Sequence, residues 1–77
     1  MTVVYELNAY MWNKERGDYD YTTLYESEDY QQVKRRYDKF VLTRDVPQVM
    51  LERDDDYEFE RLECASLSED GVRVELD

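Results

Sequence analysis

The sequence predicts an α+β fold, in which an antiparallel β-sheet of four to five strands packs one face against a single α-helix. Apolar and polar residues alternate with a period of two on both sides of a central segment, which is typical of half-buried strands. The central segment, from about Glu28 to Leu42, spaces its apolar residues as a helix does. Because each element has one apolar side, packing a helix on a sheet buries all of these apolar sides, in the order ββαββ with a predicted fifth strand. A chain of 77 residues is expected to form one domain, residues 1–77.

The first two strands are predicted at residues 2–12 and 19–26, joined by a polar loop from Asn13 to Asp18 that contains Gly17. In the first strand, Val3, Tyr5, Leu7, Ala9 and Met11 fall on the predicted core face, and Tyr10 and Trp12 on the other face as a possible exposed aromatic pair. In the second strand, simple alternation places four residues on one side: Tyr19, Tyr21, Thr23 and Tyr25.

Ser27 is the predicted N-cap of the helix, and Glu28 and Asp29 follow it where the helix dipole favours negative charge. Pro47 prevents the helix from continuing. One apolar stripe is predicted to face the sheet: Tyr30, Val33, Tyr37, Phe40 and Val41.

Two further strands are predicted at residues 48–53 and from Tyr57 to about Leu67, connected by a turn at Asp54–Asp56. A second turn at Ser68–Gly71 leads to a short closing strand, in which Val72, Val74 and Leu76 alternate with charged residues. The second half of the chain therefore completes an antiparallel sheet.

The segment from Glu52 to Glu63 is the most acidic part of the chain, with seven acids and two bases and a local charge of −5. Tyr57 and Phe59 alternate there with Glu58 and Glu60. If all four lie in a strand, the two glutamates project from one face, roughly 6.8 Å apart. The sequence thus predicts a hairpin that presents an ordered array of negative charge.

Charge is unevenly distributed along the chain, whose net charge is −10. The predicted helical region from Ser27 to Arg44 has a net charge of +2, and the remaining residues carry −12. We therefore expect the uncovered sheet face and the loops to form an anionic surface. Such a surface disfavours direct binding to nucleic acid or to an anionic membrane and favours basic protein surfaces as partners.

We interpret the acidic surface as a mimic of nucleic-acid phosphates that binds a basic, nucleic-acid-binding surface of another protein. An alternative interpretation is a protein–protein interaction module or a homodimeric accessory subunit that uses an aromatic sheet surface. A well-solvated acidic surface that only maintains solubility is the simplest alternative. The residues predicted to contact a partner are Glu52, Asp54, Asp55, Asp56, Glu58 and Glu60, a second patch of Asp18, Asp20 and Glu26, and the aromatic residues Tyr10 and Trp12.

Catalysis is not expected, because the chain has no histidine, no nucleophile motif and no glycine-rich phosphate loop. No metal or cofactor is predicted, since the acidic turns do not fit the EF-hand spacing. Cys64 is expected to be a reduced structural residue, and neither a signal peptide nor a membrane span is recognisable, so a cytoplasmic location is expected. The cluster Lys34–Arg36 could bind an anion, but pairing with nearby acids is the simpler interpretation.

In length, charge, lack of histidine, single cysteine and the acidic segment ERDDDYEFERLE, the chain resembles small acidic proteins that bacteriophages and mobile elements encode against host defences. These include anti-CRISPR and anti-restriction proteins. The resemblance implies a stoichiometric inhibitor that acts in the host cytoplasm and covers the nucleic-acid site of a defence complex. It carries no motif from which individual residue roles can be transferred.

Overall fold

The structure, a computed structural model, describes residues 2–43, 47–67 and 73–76. One five-stranded sheet has the strand order β2-β1-β3-β4-β5, and every neighbouring pair is antiparallel. The predicted α+β fold is confirmed, and the fifth strand is present. The predicted turn at Ser68–Gly71 lies outside the described residues. The elements are β1 (Val4–Asn13), β2 (Asp18–Ser27), α1 (Tyr30–Thr43), β3 (Gln48–Asp54), β4 (Phe59–Leu67) and β5 (Arg73–Leu76).

The β1–β2 loop is stabilised by Asn13. Its side-chain oxygen accepts hydrogen bonds from the backbone N–H groups of Glu15 at 2.9 Å and Arg16 at 3.3 Å, and its backbone oxygen accepts one from Gly17 at 2.8 Å. Gly17 has a φ of +68°, a left-handed conformation that glycine adopts without a steric penalty. The loop predicted from this sequence is confirmed.

Helix α1 begins at Tyr30, two residues later than predicted. Asp29 is the N-cap, because its side chain accepts a hydrogen bond from the Gln31 N–H at 2.9 Å and its backbone oxygen accepts one from Val33. The prediction that Ser27 caps the helix is wrong. The Ser27 hydroxyl instead accepts a hydrogen bond from the Asp29 N–H at 3.0 Å, so it stabilises the turn that precedes the helix.

The core lies between α1 and one face of the sheet. Val33 and Tyr37 are buried on the helix, and Tyr30, Phe40 and Val41 pack beside them, so the predicted apolar stripe is confirmed. The central strands supply the buried side chains that face the helix. These buried residues are Leu7, Ala9, Val49, Leu51 and Ala65.

Two β-bulges interrupt the sheet. Leu7 pairs with Tyr25 and Asn8 pairs with Thr23, so Leu24 is an extra residue in β2. Leu62 is the corresponding extra residue in β4. The first bulge reverses the alternation of β2, and Tyr25 consequently packs against the core. The prediction that Tyr25 shares a side with Tyr19 and Tyr21 is therefore wrong.

The β3–β4 connection is built around Asp55. One of its carboxylate oxygens accepts hydrogen bonds from the backbone N–H groups of Tyr57 and Glu58, both at 2.8 Å, and its own N–H donates to the Glu58 carbonyl at 3.0 Å. Strand β4 starts only at Phe59, so Tyr57 and Glu58 belong to the turn. Tyr57 is 84% exposed, and the prediction that the strand begins at Tyr57 is wrong by two residues, although the strand from Phe59 to Leu67 is confirmed.

Candidate protein-binding surface

We call the side of the sheet opposite α1 the open face, because no described element packs on it. A row of paired residues crosses this face through four strands, from Glu26 through Glu6 and Glu52 to Arg61. Three neighbouring carboxylates repel each other unless something neutralises or separates them. The contacts of this row therefore decide which acids remain available to a partner.

Glu52 is only 1% exposed and is fully engaged within the protein. It accepts hydrogen bonds from Asn8 Nδ2 at 2.9 Å and from the Tyr21 hydroxyl, and the Arg61 Nε lies 3.3 Å from its second oxygen. The central position of β3 places this carboxylate between two strands that provide donors. The prediction that Glu52 contacts a partner is wrong, and its role is to hold neighbouring side chains in position.

Tyr21 is one of the side chains that Glu52 positions. Burial raises the pKa of the Tyr21 phenol, and the hydrogen bond to Glu52 and the negative charge of that carboxylate raise it further. Asn8 Nδ2 also donates to the Tyr21 oxygen at 3.0 Å. The ring is thus held in one orientation by its hydroxyl, while the residue remains 45% exposed.

Four aromatic side chains form what we call the aromatic cluster on the open face, near the β1–β2 loop. Tyr10 and Tyr21 pair across the strands with ring centroids 5.6 Å apart, and Trp12 and Tyr19 pair at 5.1 Å, both edge to face. Cross-strand aromatic contacts of this kind stabilise a sheet and fix the rings. Trp12 is 55% exposed, so the cluster presents a rigid apolar surface to solvent.

Five exposed acids lie at the opposite end of the sheet. The β3–β4 turn lies at this end of the sheet. It is next to the start of β1, because Val4 pairs with Asp54, the last residue of β3. Glu26 is one row away, opposite Glu6. Among the described residues, none of these exposed acids forms a salt bridge. We define this surface as the acidic end, composed of Glu26, Asp54, Asp56, Glu58 and Glu60.

The remaining predicted acids have other positions. Asp55 is largely buried in its turn and pairs with Arg53 Nη1 at 2.9 Å, so it is a structural residue. Asp18 and Asp20 lie at the loop end of β2, at the other end of the strand from Glu26. Asp20 is also bonded to Arg16 and Asn13. The predicted second patch of Asp18, Asp20 and Glu26 is therefore not a single patch.

The acidic end is not neutralised by the helix. Lys34 lies between Asp38 and Glu63, with its Nζ 2.9 Å from Asp38 and 2.6 Å from Glu63. Burial would lower the pKa of Lys34, but these two carboxylates raise it overall. Neither acid belongs to the acidic end. Lys34 therefore pairs with acids outside the acidic end.

The predicted distribution of acids over the open face needs one correction. Glu60 pairs with Arg53 and lies on the helix side of the sheet, and Glu58 precedes the strand. The two glutamates thus do not form the predicted pair on one strand face. Both lie at or beside the β3–β4 turn instead, so the negative charge is concentrated at this end of the strands.

The chain was compared with protein-family models, with curated proteins and with solved structures, and none of them matches it. Within the described ranges, no group of three or more potential ligands could hold a metal ion. In the same ranges, no helix has the length and apolar character needed to cross a membrane. The function must therefore be argued from the surface itself.

The sequence contained a signal for the part of the surface that simple alternation missed. A loop centred on residues 14–17 brings Trp12 opposite Tyr19 and Tyr10 opposite Tyr21. This symmetry could have identified Tyr19 and Tyr21 as members of the surface. No comparable signal revealed that Glu52 is buried, because that depends on which strands become its neighbours.

Proposed function

We propose that this protein is a non-enzymatic inhibitor that binds a basic, nucleic-acid-binding surface of another protein, with its carboxylates in the place of nucleic-acid phosphates. The observation that carries the proposal is the acidic end, where Asp54, Asp56, Glu58 and Glu60 are exposed and have no described cationic partner. Carboxylates that no internal cation neutralises are free to pair with arginine and lysine of a partner. They also accelerate the approach of such a partner.

The β3–β4 turn makes the acidic end suitable for this role because it is preorganised. Asp55 holds the turn through two backbone hydrogen bonds and the contact with Arg53. A partner therefore does not have to order a flexible loop, and the entropic cost of binding is reduced. Binding would consequently depend on the exposed acids for contact and on Asp55 for their arrangement.

The test compares two variants that each remove two negative charges. Asp56→Asn/Glu58→Gln changes the acidic end, and Glu15→Gln/Asp18→Asn changes the opposite end of the sheet. A partner captured from a bacterial lysate should bind the first variant about tenfold or more weakly, because charge-assisted contacts are lost. The second variant should bind as the original protein does. Equal affinities for both variants would contradict the proposal.

Competition with nucleic acid tests the mimicry directly. A nucleic acid that the captured partner binds should displace this protein from it, and the displacement should follow the measured affinities. Simultaneous binding of protein and nucleic acid to one partner would refute occupation of the same surface. Circular dichroism of each variant shows whether the fold is retained.

The aromatic cluster supports a second candidate function, a protein-interaction module that binds through the open face. Exposed, fixed aromatic rings are common anchors in interfaces. Binding through the acidic end weakens steeply with added salt, whereas binding through the aromatic cluster responds weakly. Trp12→Ala together with a salt titration therefore separates the two: loss of affinity at every salt concentration in this variant favours the aromatic interface.

A further inference from the structure

A groove with cationic lining runs between α1 and the edge strand β2. Its volume is about 520 Å³, and it is lined by Tyr25, Gln32, Arg35, Arg36 and Lys39. This volume is within the range of small-molecule sites, roughly 300–1,000 Å³. None of the five lining residues is acidic, although acids outnumber bases by two to one in the chain.

The two arginines of the groove are not neutralised by carboxylates. Among the described residues, neither Arg35 nor Arg36 forms a salt bridge, whereas Lys34 beside them binds two acids. Arg35 and Lys39 are four residues apart on the helix, where like charges destabilise it. Arg35 and Arg36 therefore remain positive charges that no carboxylate of the described residues neutralises.

The groove also holds its polar groups in place. The Arg36 guanidinium lies 4.0 Å from the centroid of the Tyr25 ring, and the Tyr25 hydroxyl donates a hydrogen bond to Gln32 Oε1 at 2.9 Å. The Gln32 carbonyl oxygen is occupied, whereas its amide NH2 group has no acceptor among the described residues. The lining thus offers hydrogen-bond donors and positive charge to a ligand.

We propose that this groove binds a small ligand that carries a phosphate or diphosphate group. Guanidinium groups match the geometry of phosphate oxygens and bind them through paired hydrogen bonds. The face of Tyr25 that would stack on a nucleobase is occupied by Arg36, so the phosphate oxygens, rather than an aromatic ring, are the recognised feature. This site is separate from the acidic end and does not depend on the function proposed above.

Calorimetry with inorganic pyrophosphate at low ionic strength tests the proposal. The original protein should bind saturably, and Arg35→Gln/Arg36→Gln should bind roughly tenfold or more weakly because charge-assisted hydrogen bonds are lost. The control Lys14→Gln/Arg16→Gln also removes two positive charges, but from the β1–β2 loop, and should retain the original affinity. Absence of saturable binding, or equal weakening in both variants, overturns the proposal.

Two further measurements identify the ligand class. Tricarballylate carries a similar charge on carboxylates, and binding as tight as that of pyrophosphate would overturn the assignment to phosphate. Sedimentation at low salt tests whether the acidic end of a second copy fills the groove. A dimer of the original protein that Arg35→Gln/Arg36→Gln abolishes would also overturn the proposal of a phosphate site. A monomeric original protein supports the proposal.

Discussion

Glu52 shows how one buried carboxylate arranges a surface that it does not itself form. Its carboxylate accepts hydrogen bonds from the Tyr21 hydroxyl and from Arg61 Nε. Asn8 bridges it to Glu6, because Asn8 Nδ2 lies 2.9 Å from a Glu52 oxygen and 3.2 Å from a Glu6 oxygen. Removal of such a carboxylate leaves donors without an acceptor, which costs more than the bond contributes. The aromatic cluster therefore depends on a residue that has almost no solvent exposure.

The Tyr21 phenol should report on this arrangement. Burial and the neighbouring carboxylate raise its pKa above the ordinary value of 10.0, and Glu52→Gln should lower the pKa because it removes the charge. A raised pKa in the folded state contributes stability below pH 10 that is lost as the pH rises through the folded-state value. We expect NMR titration of the tyrosine ring signals, assigned with Tyr21→Phe, to show the decrease. An unchanged Tyr21 titration in Glu52→Gln would show that the carboxylate does not control the phenol.

Asp55 should make the stability of the fold depend on pH under acidic conditions. Hydrogen bonds from the backbone of Tyr57 and Glu58, and then the Arg53 contact, hold the pKa of this carboxyl below its usual value of 3.8. Its contribution is present above that value and is lost as the pH falls through the lower folded-state value. Asp55→Asn should therefore lower the melting temperature at pH 7, and the difference from the original protein should shrink toward pH 3.

The exposed neighbour Asp56 provides the control for this measurement. Asp56→Asn removes the same charge from a side chain that makes none of the turn contacts described for Asp55. The melting temperature of this variant should stay close to that of the original protein or rise. If Asp55→Asn and Asp56→Asn have the same melting temperature at pH 7, the turn does not depend on the Asp55 carboxylate.

At the scale of the elements, helix α1 should depend on the cap that the structure assigns. Asp29→Ala removes the acceptor for the Gln31 N–H and should decrease the free energy of unfolding by about 1 kcal/mol. Glu28→Ala removes an equal charge one position earlier and should have a smaller effect. Urea denaturation of both variants measures the difference, and a larger loss for Glu28→Ala would contradict the assignment of the cap.

The elements themselves were predictable because their patterns are local. Helix α1 and the five strands follow from periodicity, and the loop at Asn13 and Gly17 follows from turn chemistry. The bulges at Leu24 and Leu62 were not predictable, since leucine fits a regular strand as well as a bulge. The contacts of Glu52 depend on the strand order, which no local pattern contains.

At the scale of the whole molecule, the excess of negative charge should destabilise the folded state through self-repulsion. The net charge is −10, and the acidic end concentrates part of it. Added salt screens such repulsion. Raising the salt concentration from about 20 mM to about 200 mM should therefore increase the melting temperature.

Sodium chloride and potassium chloride should have the same effect, since screening does not depend on the identity of the cation. A melting temperature that stays constant or falls would show that the charges are already balanced in the folded state. A rise with only one of the salts would instead indicate binding of a particular ion.

The bulge at Leu24 constrains how the length of this chain can change. The residues of β2 before Leu24 and those after it alternate between the two sheet faces in opposite phase. Deletion of one residue there would shift one half of the strand to the wrong face. Either Tyr25 would leave the helix side, or Tyr19 and Tyr21 would leave the face that they share with Trp12 and Tyr10. Another side chain at position 24 leaves both halves of the strand in register. We therefore expect β2 to tolerate substitution of Leu24 but not deletion of a residue.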